Sequence, residues 1–327
     1  MKLACMLLFL VAAPWVAAQP AGPATGAYPP LQPIRPGDRL LVISPHPDDE
    51  SLCCGGLIDE ARRAGAQVAI VWVTSGDGFR WDAMVVQRRL RVRGQGLTAL
   101  ARTRMAEAEA AAGVLGVPRE RQFFLGYPDR GILPLVLDYY YYDIAWRSRY
   151  TGNSAVVYPE ALSPGSAYTG ADLERDLNKV LDEVQPTLVL VPSPQDTHPD
   201  HRAVGILAYR LLSARGEAGR ARFWIVHGGH GWPAPRAFRP DLPQTVAPRG
   251  RGMQWEVQAL DDAALAVKRQ AVDAHATQAR VMGRVMRSHV RRTELYSRTP
   301  VPQGSPDCLT ALPCEFELQP ASEEAAF

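Results

Sequence analysis

Five short runs of the chain are apolar almost without interruption: Arg39–Ser44, Ala66–Thr74, Gln122–Leu125, Thr187–Val191 and Arg222–Val226. Strands buried on both faces of a parallel sheet read this way, because neither face alternates with solvent. Between them apolar positions recur at helical spacing, in Leu57–Ala64, Leu97–Leu115 (stopped by Gly116), Ala171–Val184 and Ala203–Leu212. Trp255–Val257 and Glu294–Tyr296 read as two late strands, with a helix capped by Asp261 and Asp262 between them. Strands alternating with helices predict one α/β domain, Rossmann-like, with a mostly parallel sheet and helices on both faces.

The ends of the chain follow a different pattern. Met1-Lys2, an apolar run from Leu3 to Ala18 and the small residues Val16-Ala17-Ala18 predict a signal peptide over 1–18, hence a secreted or periplasmic protein. The run falls short of the ~20 residues of a membrane span, and Pro14 interrupts it. An uncleaved anchor is the alternative. Residues 19–36, rich in Pro, Gly and Ala, predict a flexible leader; 37–300 would be the folded domain and 301–327 a tail. No stable membrane span is expected after cleavage.

Composition narrows this picture at two points. A formal net charge of +2 in 327 residues gives no case for a nucleic-acid partner. In an oxidising compartment Cys308 and Cys314 could close a small loop worth about 2 kcal/mol. Cys53 and Cys54 are expected as small buried packing residues, since a bond between neighbours is strained.

The chemistry-bearing residues cluster where predicted strands end, which is where open α/β sheets bind ligands. The first strand runs into Ser44-Pro45-His46-Pro47-Asp48-Asp49-Glu50, expected as a loop, and the fourth into Thr197-His198-Pro199-Asp200-His201. A His and a carboxylate three residues apart can reach one cation. Pro199 suits the first turn of a helix, so His198 and His201, at i,i+3, share one face. As both strands carry histidines at their ends, they should be neighbours, with a metal at the switch point between them. Other strand ends carry Ser75-Gly76-Asp77-Gly78, Gly126-Tyr127-Pro128-Asp129 and His227-Gly228-Gly229-His230. Asp77 is a pocket residue or an acid in a turn; His227 and His230 line the pocket or are plain loop residues.

Pro45-His46-Pro47-Asp48-Asp49-Glu50 with Gly55-Gly56, followed far downstream by His198-Pro199-Asp200-His201, resembles the PIG-L/LmbE-like zinc-dependent de-N-acetylases. Arg104-x-x-Glu107, Leu125-Gly126-Tyr127-Pro128-Asp129 and Lys268…His275-x-Thr277-Gln278 are similar to further family motifs. The resemblance covers roughly residues 38–297, with insertions at about 79–101 and 134–170. It implies zinc, or another divalent metal, held by His46, Asp49 and His201. Asp48 would then be the general base, and His198, as an imidazolium, would stabilise the oxyanion or deliver a proton. Asp200 is expected to orient a histidine; Glu50 caps the next helix or holds a ligand. Asp77, Arg104, Asp129 and His227 would meet the substrate, an N-acetylated amino sugar such as N-acetylglucosamine or a glycan containing it. For Arg104 an exposed pair with Glu107 is the competing reading, and for His275 plain packing. The Arg-rich insertion, with Arg80, Arg88, Arg89, Arg91 and Arg93, is a solvated face or a contact for an acidic polymer. The tyrosines at 139–142 are a sugar-stacking surface or a packed flap. Outside this activity stand an amidase on another N-acyl conjugate, a non-haem iron oxygenase, which also uses two His and a carboxylate, and a secreted sugar-binding protein without turnover.

Overall fold

The computed structural model describes residues 28–79, 92–141 and 143–305. The signal segment, most of the leader, Arg80 to Arg91, Tyr142 and the Cys308/Cys314 pair lie outside the described residues.

Seven strands form one sheet: β1 (Arg39–Ser44), β2 (Gln67–Thr74), β3 (Gln122–Tyr127), β4 (Leu188–Pro192), β5 (Ala221–Trp224), β6 (Trp255–Ala259) and β7 (Thr293–Ser297). The order is β3-β2-β1-β4-β5-β7-β6. The first five strands are parallel, and β7 pairs antiparallel with both β5 and β6. Strand β1 runs beside β4, Leu40 against Leu188, so the two histidine-bearing strands are neighbours as expected. The helices are α1 (Asp49–Arg63), α2 (Gln95–Val114), α3 (Ile132–Leu137), α4 (Gly170–Val184), α5 (Pro199–Ala214), α6 (Asp262–Ala274) and α7 (Ala276–Arg287). Among the described residues none is long and apolar enough to cross a membrane.

Local chemistry sets the boundaries that matter. Helix α1 starts at Asp49, earlier than the apolar pattern suggests, so Asp49 and Glu50 belong to its first turn and not to a loop. Acids there are favoured by the helix dipole. Gly56 lets α1 approach the β6–α6 connection: a Cβ at this position would lie 2.3 Å from Leu260. Pro199 opens α5 at N1, and the His198 side chain caps it by accepting from the Asp200 backbone. Thr169 caps α4 and Asp261 caps α6 in the same way.

One expectation is corrected, and of the two readings of the second insertion the packed one is favoured. Cys53 and Cys54 are bonded to each other, and both are buried. The second insertion is largely built into the domain. Tyr158 and Tyr168 are fully buried and Tyr140 bonds Glu174, while Tyr141 and Ile144, 77% and 70% exposed, stand clear of the surface.

Candidate active site

The loop after β1 turns sharply at Asp48, whose φ of 145° lies where L-residues rarely go. Such strain persists only where the surroundings enforce it. Here Glu50 does so: fully buried, it accepts from the Asp48 backbone (3.1 Å), Trp72 Nε1 (2.8 Å) and Ser51 Oγ (2.8 Å), and faces His275 Nε2 at 2.9 Å. It is therefore the brace of the turn, neither a simple cap nor a ligand.

This turn and the start of α5 bring three donor atoms together. His46 Nδ1 lies 3.2 Å from Asp49 Oδ2 and 3.2 Å from His201 Nε2, and His201 Nε2 lies 3.1 Å from Asp49 Oδ2. Overlapping sets add His198, His227, Asp129 and Asp200 within 4.8 Å. The His46–Asp49–His201 triangle has all three edges at 3.1–3.2 Å. Ligands at 2.0–2.1 Å in a tetrahedron stand about 3.3 Å apart, so its edges fit a zinc-sized cation with one position left over.

The outer faces of both rings are fixed. His46 Nε2 points at Asp200 Oδ2 (3.3 Å) and Asp129 Oδ1 (3.4 Å), and His201 Nδ1 at Asp196 Oδ2 (3.2 Å). With a cation bound, each ring would turn its other nitrogen inward as a lone pair, the usual arrangement around a metal. Asp200 is itself held by the backbone N–H groups of Arg130 and Ile132. Asp196, which the motif reading missed, accepts from the backbones of His198, Val226 and His227. Its signal was its position, two residues before His198 at the end of β4.

The acids draw positive charge into this space. Burial works against charging the rings, yet Asp129 holds His46 well above its ordinary value, and Asp49 with Asp196 lifts His201 to about 9. Burial alone would raise Asp49, but His201 and His46 keep it well below the carboxylate range. A divalent cation would supply what this constellation lacks. Asp48 stands apart: burial, then the Asp49 charge beside it, pushes its carboxyl up to about 7 against the pull of Arg104.

Other expected roles change. Arg104, 3% exposed, neither pairs with Glu107 nor reaches outward. Its guanidinium clamps the carbonyls of Gly76 (2.7 Å) and Pro47 (3.1 Å). Asp77 is fully buried behind the site, accepting from the Asp129 backbone (2.9 Å), and burial with the Asp129 charge pushes it up to about 7. Asp129, expected to meet the substrate, is buried, accepts from Gly78 and faces His46. His227 does lie at the rim, its ring 4.6 Å from that of His201, whereas His230 is exposed. His198 sits edge-on to His46 at 4.6 Å. Its Nδ1 accepts from the Asp200 N–H at 3.2 Å, so the resting ring is neutral with a proton on Nε2, and not the expected imidazolium. A cavity of about 20 Å³ lined by Trp224, Lys268 and His289 has room for about one water.

Residues 41–212 match the family described as PIG-L, GlcNAc-PI de-N-acetylase. The chain is 32% identical over 180 residues to the 1D-myo-inositol 2-acetamido-2-deoxy-alpha-D-glucopyranoside deacetylase of Actinosynnema mirum, covering 54% of each. To the Nocardia farcinica protein of the same name it is 28% identical over 271 residues, 73% of this chain and 80% of that one. It spans 54%, 64% and 60% of the length of the first three curated relatives it matches. Among solved structures, the A40926 pseudoaglycone deacetylase Dbv21 shares the fold, with TM-score 0.52 at 20% identity over 79% of this chain and 96% of that one.

Proposed function

The chain belongs to the PIG-L family, and from that premise we propose that it is a metal-dependent hydrolase removing the acetyl group from an N-acetylated amino sugar. The observation that carries this reading is the His46–Asp49–His201 triangle with a second, unshared carboxylate, Asp48, beside it. Relatives named as deacetylases of an acetamido-glucopyranoside favour an amino-sugar substrate over another N-acyl conjugate. An iron oxygenase would leave Asp48 without a task.

His46, Asp49 and His201 would hold the cation. Bound there, zinc or another divalent ion brings a water towards neutral pKa and polarises the amide carbonyl. Asp48 takes a proton from the attacking water. His198 Nε2–H donates to the carbonyl oxygen as negative charge grows on it. The water oxygen joins the acyl carbon, the C–N bond breaks, and Asp48 returns its proton to the leaving nitrogen, giving acetate and an amine. His227 stands at the rim where substrate enters.

The test is to load purified protein with zinc, present N-acetylglucosaminyl-inositol and N-acetylglucosamine-containing glycans, and follow acetate by mass spectrometry. Release that stops on chelation is expected. Saturable binding without acetate release would replace this reading with a silent sugar binder.

We propose also that the protein is exported, with Gln19 as the mature N-terminus; the Met1–Ala18 pattern supports this. N-terminal sequencing that found Met1 on a soluble cytoplasmic pool would reject it.

A further inference from the structure

The α6–α7 corner reaches the site from outside the segment that matches the family, which ends at residue 212. His275 faces Glu50 and Ser51 (2.9 and 3.1 Å), and one turn later Gln278 Nε2 donates to Asp48 Oδ2 at 2.5 Å. We propose that Gln278 is the positioning residue of the base: its amide occupies Oδ2, so that Oδ1 alone is presented to the reacting water. This rests on the deacetylase reading above.

Three observations support it. Gln278 is buried, and its Oε1 has no hydrogen-bond partner. A glutamine retained for packing alone would not leave a carbonyl unanswered in the interior. The corner is also held in register by α2. Glu107 accepts from the Thr277 N–H (2.9 Å) and Oγ1 (2.7 Å), while Arg104, one turn earlier on α2, grips Pro47 and stands 4.0 Å from Asp48 Oδ1. One helix thus fixes the distance between Gln278 and the strained Asp48 turn. Finally, a neutral amide can orient a carboxylate without neutralising it, as a lysine at 2.5 Å would. With Oδ2 facing an N–H, the proton taken from water resides on Oδ1, the oxygen that then hands it to the amine.

Gln278→Met keeps length and bulk and removes the donor. Crystal structures of wild type and variant are expected to show the Asp48 carboxylate rotated in the variant. The kcat should fall about 10- to 100-fold, the scale of a misplaced reacting group, while KM, bound metal per chain and Tm stay at wild-type values. In an Asp48→Asn background the same change should produce no further loss, because it acts through Asp48. Should Gln278→Met fail to fold, Gln278→Asn, one methylene short, carries the same expectation. An unmoved Asp48 with kcat within twofold, or an equal loss in the Asp48→Asn background, would overturn the proposal. If wild type released no acetate the deacetylase reading would fail by itself; the Asp48 orientation in the two structures would still decide whether Gln278 sets it.

Discussion

The two halves of the sheet treat buried charge in opposite ways. On the parallel side, at the ends of β1 and β4, the neighbouring acids Asp48 and Asp49 crowd around imidazoles, and among the described residues the one lysine or arginine paired with them, Arg104, comes only to 4.0 Å of Asp48. On the antiparallel side, β7 presents Glu294 to Lys268 Nζ (2.6 Å), the N–H groups of Gly56 and Leu57 (2.9 Å each) and Tyr296 OH (2.8 Å). One cluster is left wanting a cation, the other is complete. The first has the character of a reactive site, the second that of a fastening.

The sharpest way to break this contrast is at the first cluster. Asp49→Asn should lose bound metal and fall to background activity, recovering partly in excess metal; His46→Ala and His201→Ala should behave alike under metal analysis. Retention of full metal and activity by all three would dissolve the distinction between the halves. Next in size, Asp48→Asn should keep its metal yet lose activity about 10²–10⁴-fold, with KM little changed. If Asp48→Asn were emptied of metal and Asp49→Asn were full, the two adjacent acids would have exchanged roles.

The second cluster should answer in stability instead. Lys268→Met strands Glu294 in the interior, a loss of about 3–5 kcal/mol, seen as a Tm lower by roughly 5–10 °C. Bound metal and kcat at 25 °C should hold; a variant that melted normally but had lost kcat would show the halves to be less separate than drawn.

The smallest effect lies on the seam. Glu60, half-buried at the end of α1, is pushed from 4.5 up to about 7 by burial and by the charges of Glu294 and Asp261. Because its folded value is raised, the proton favours the folded state. That contribution is complete below about pH 4.5 and lost as pH rises through 7. Glu60→Gln should therefore gain about 1 kcal/mol at pH 8, after allowance for solvent screening, or about 1–2 °C in Tm, and nothing at pH 4. Equal shifts at both pH values would show that Glu60 is not held protonated.

The sequence showed the meeting of the two histidine motifs more clearly than the residues that support it. His46, Asp49, His198 and His201 sit in two short motifs whose strands had to be neighbours, so their meeting was legible. Arg104, Asp77 and Asp129 sit in motifs that end on the right rim, which is why the sequence points to them as substrate contacts; that they are buried and bonded to the loops of the site is reported by no local pattern. Gln278 acts on Asp48, 230 positions away, which only folding brings near; Asp196 holds His198 and His201 from two and five positions upstream, yet no motif marks it. The parallel strands were visible as apolar runs, but the insertion of β7 between β5 and β6 depends on long-range pairing that neither strand encodes alone.

Glu294 also has a meaning for anyone who would cut or recombine this chain. Its carboxylate holds backbone donors in the middle of α1, 237 and 238 residues upstream. A fragment ending at residue 212, however faithfully it carried both histidine motifs, would leave those amides unclaimed and α1 bare where α6 and β7 cover it. Chimeras joined there should be insoluble, whereas a crossover beyond Ser297 carries the whole fastening with it. The natural seam of the molecule lies some eighty residues past the end of the segment that matches the family.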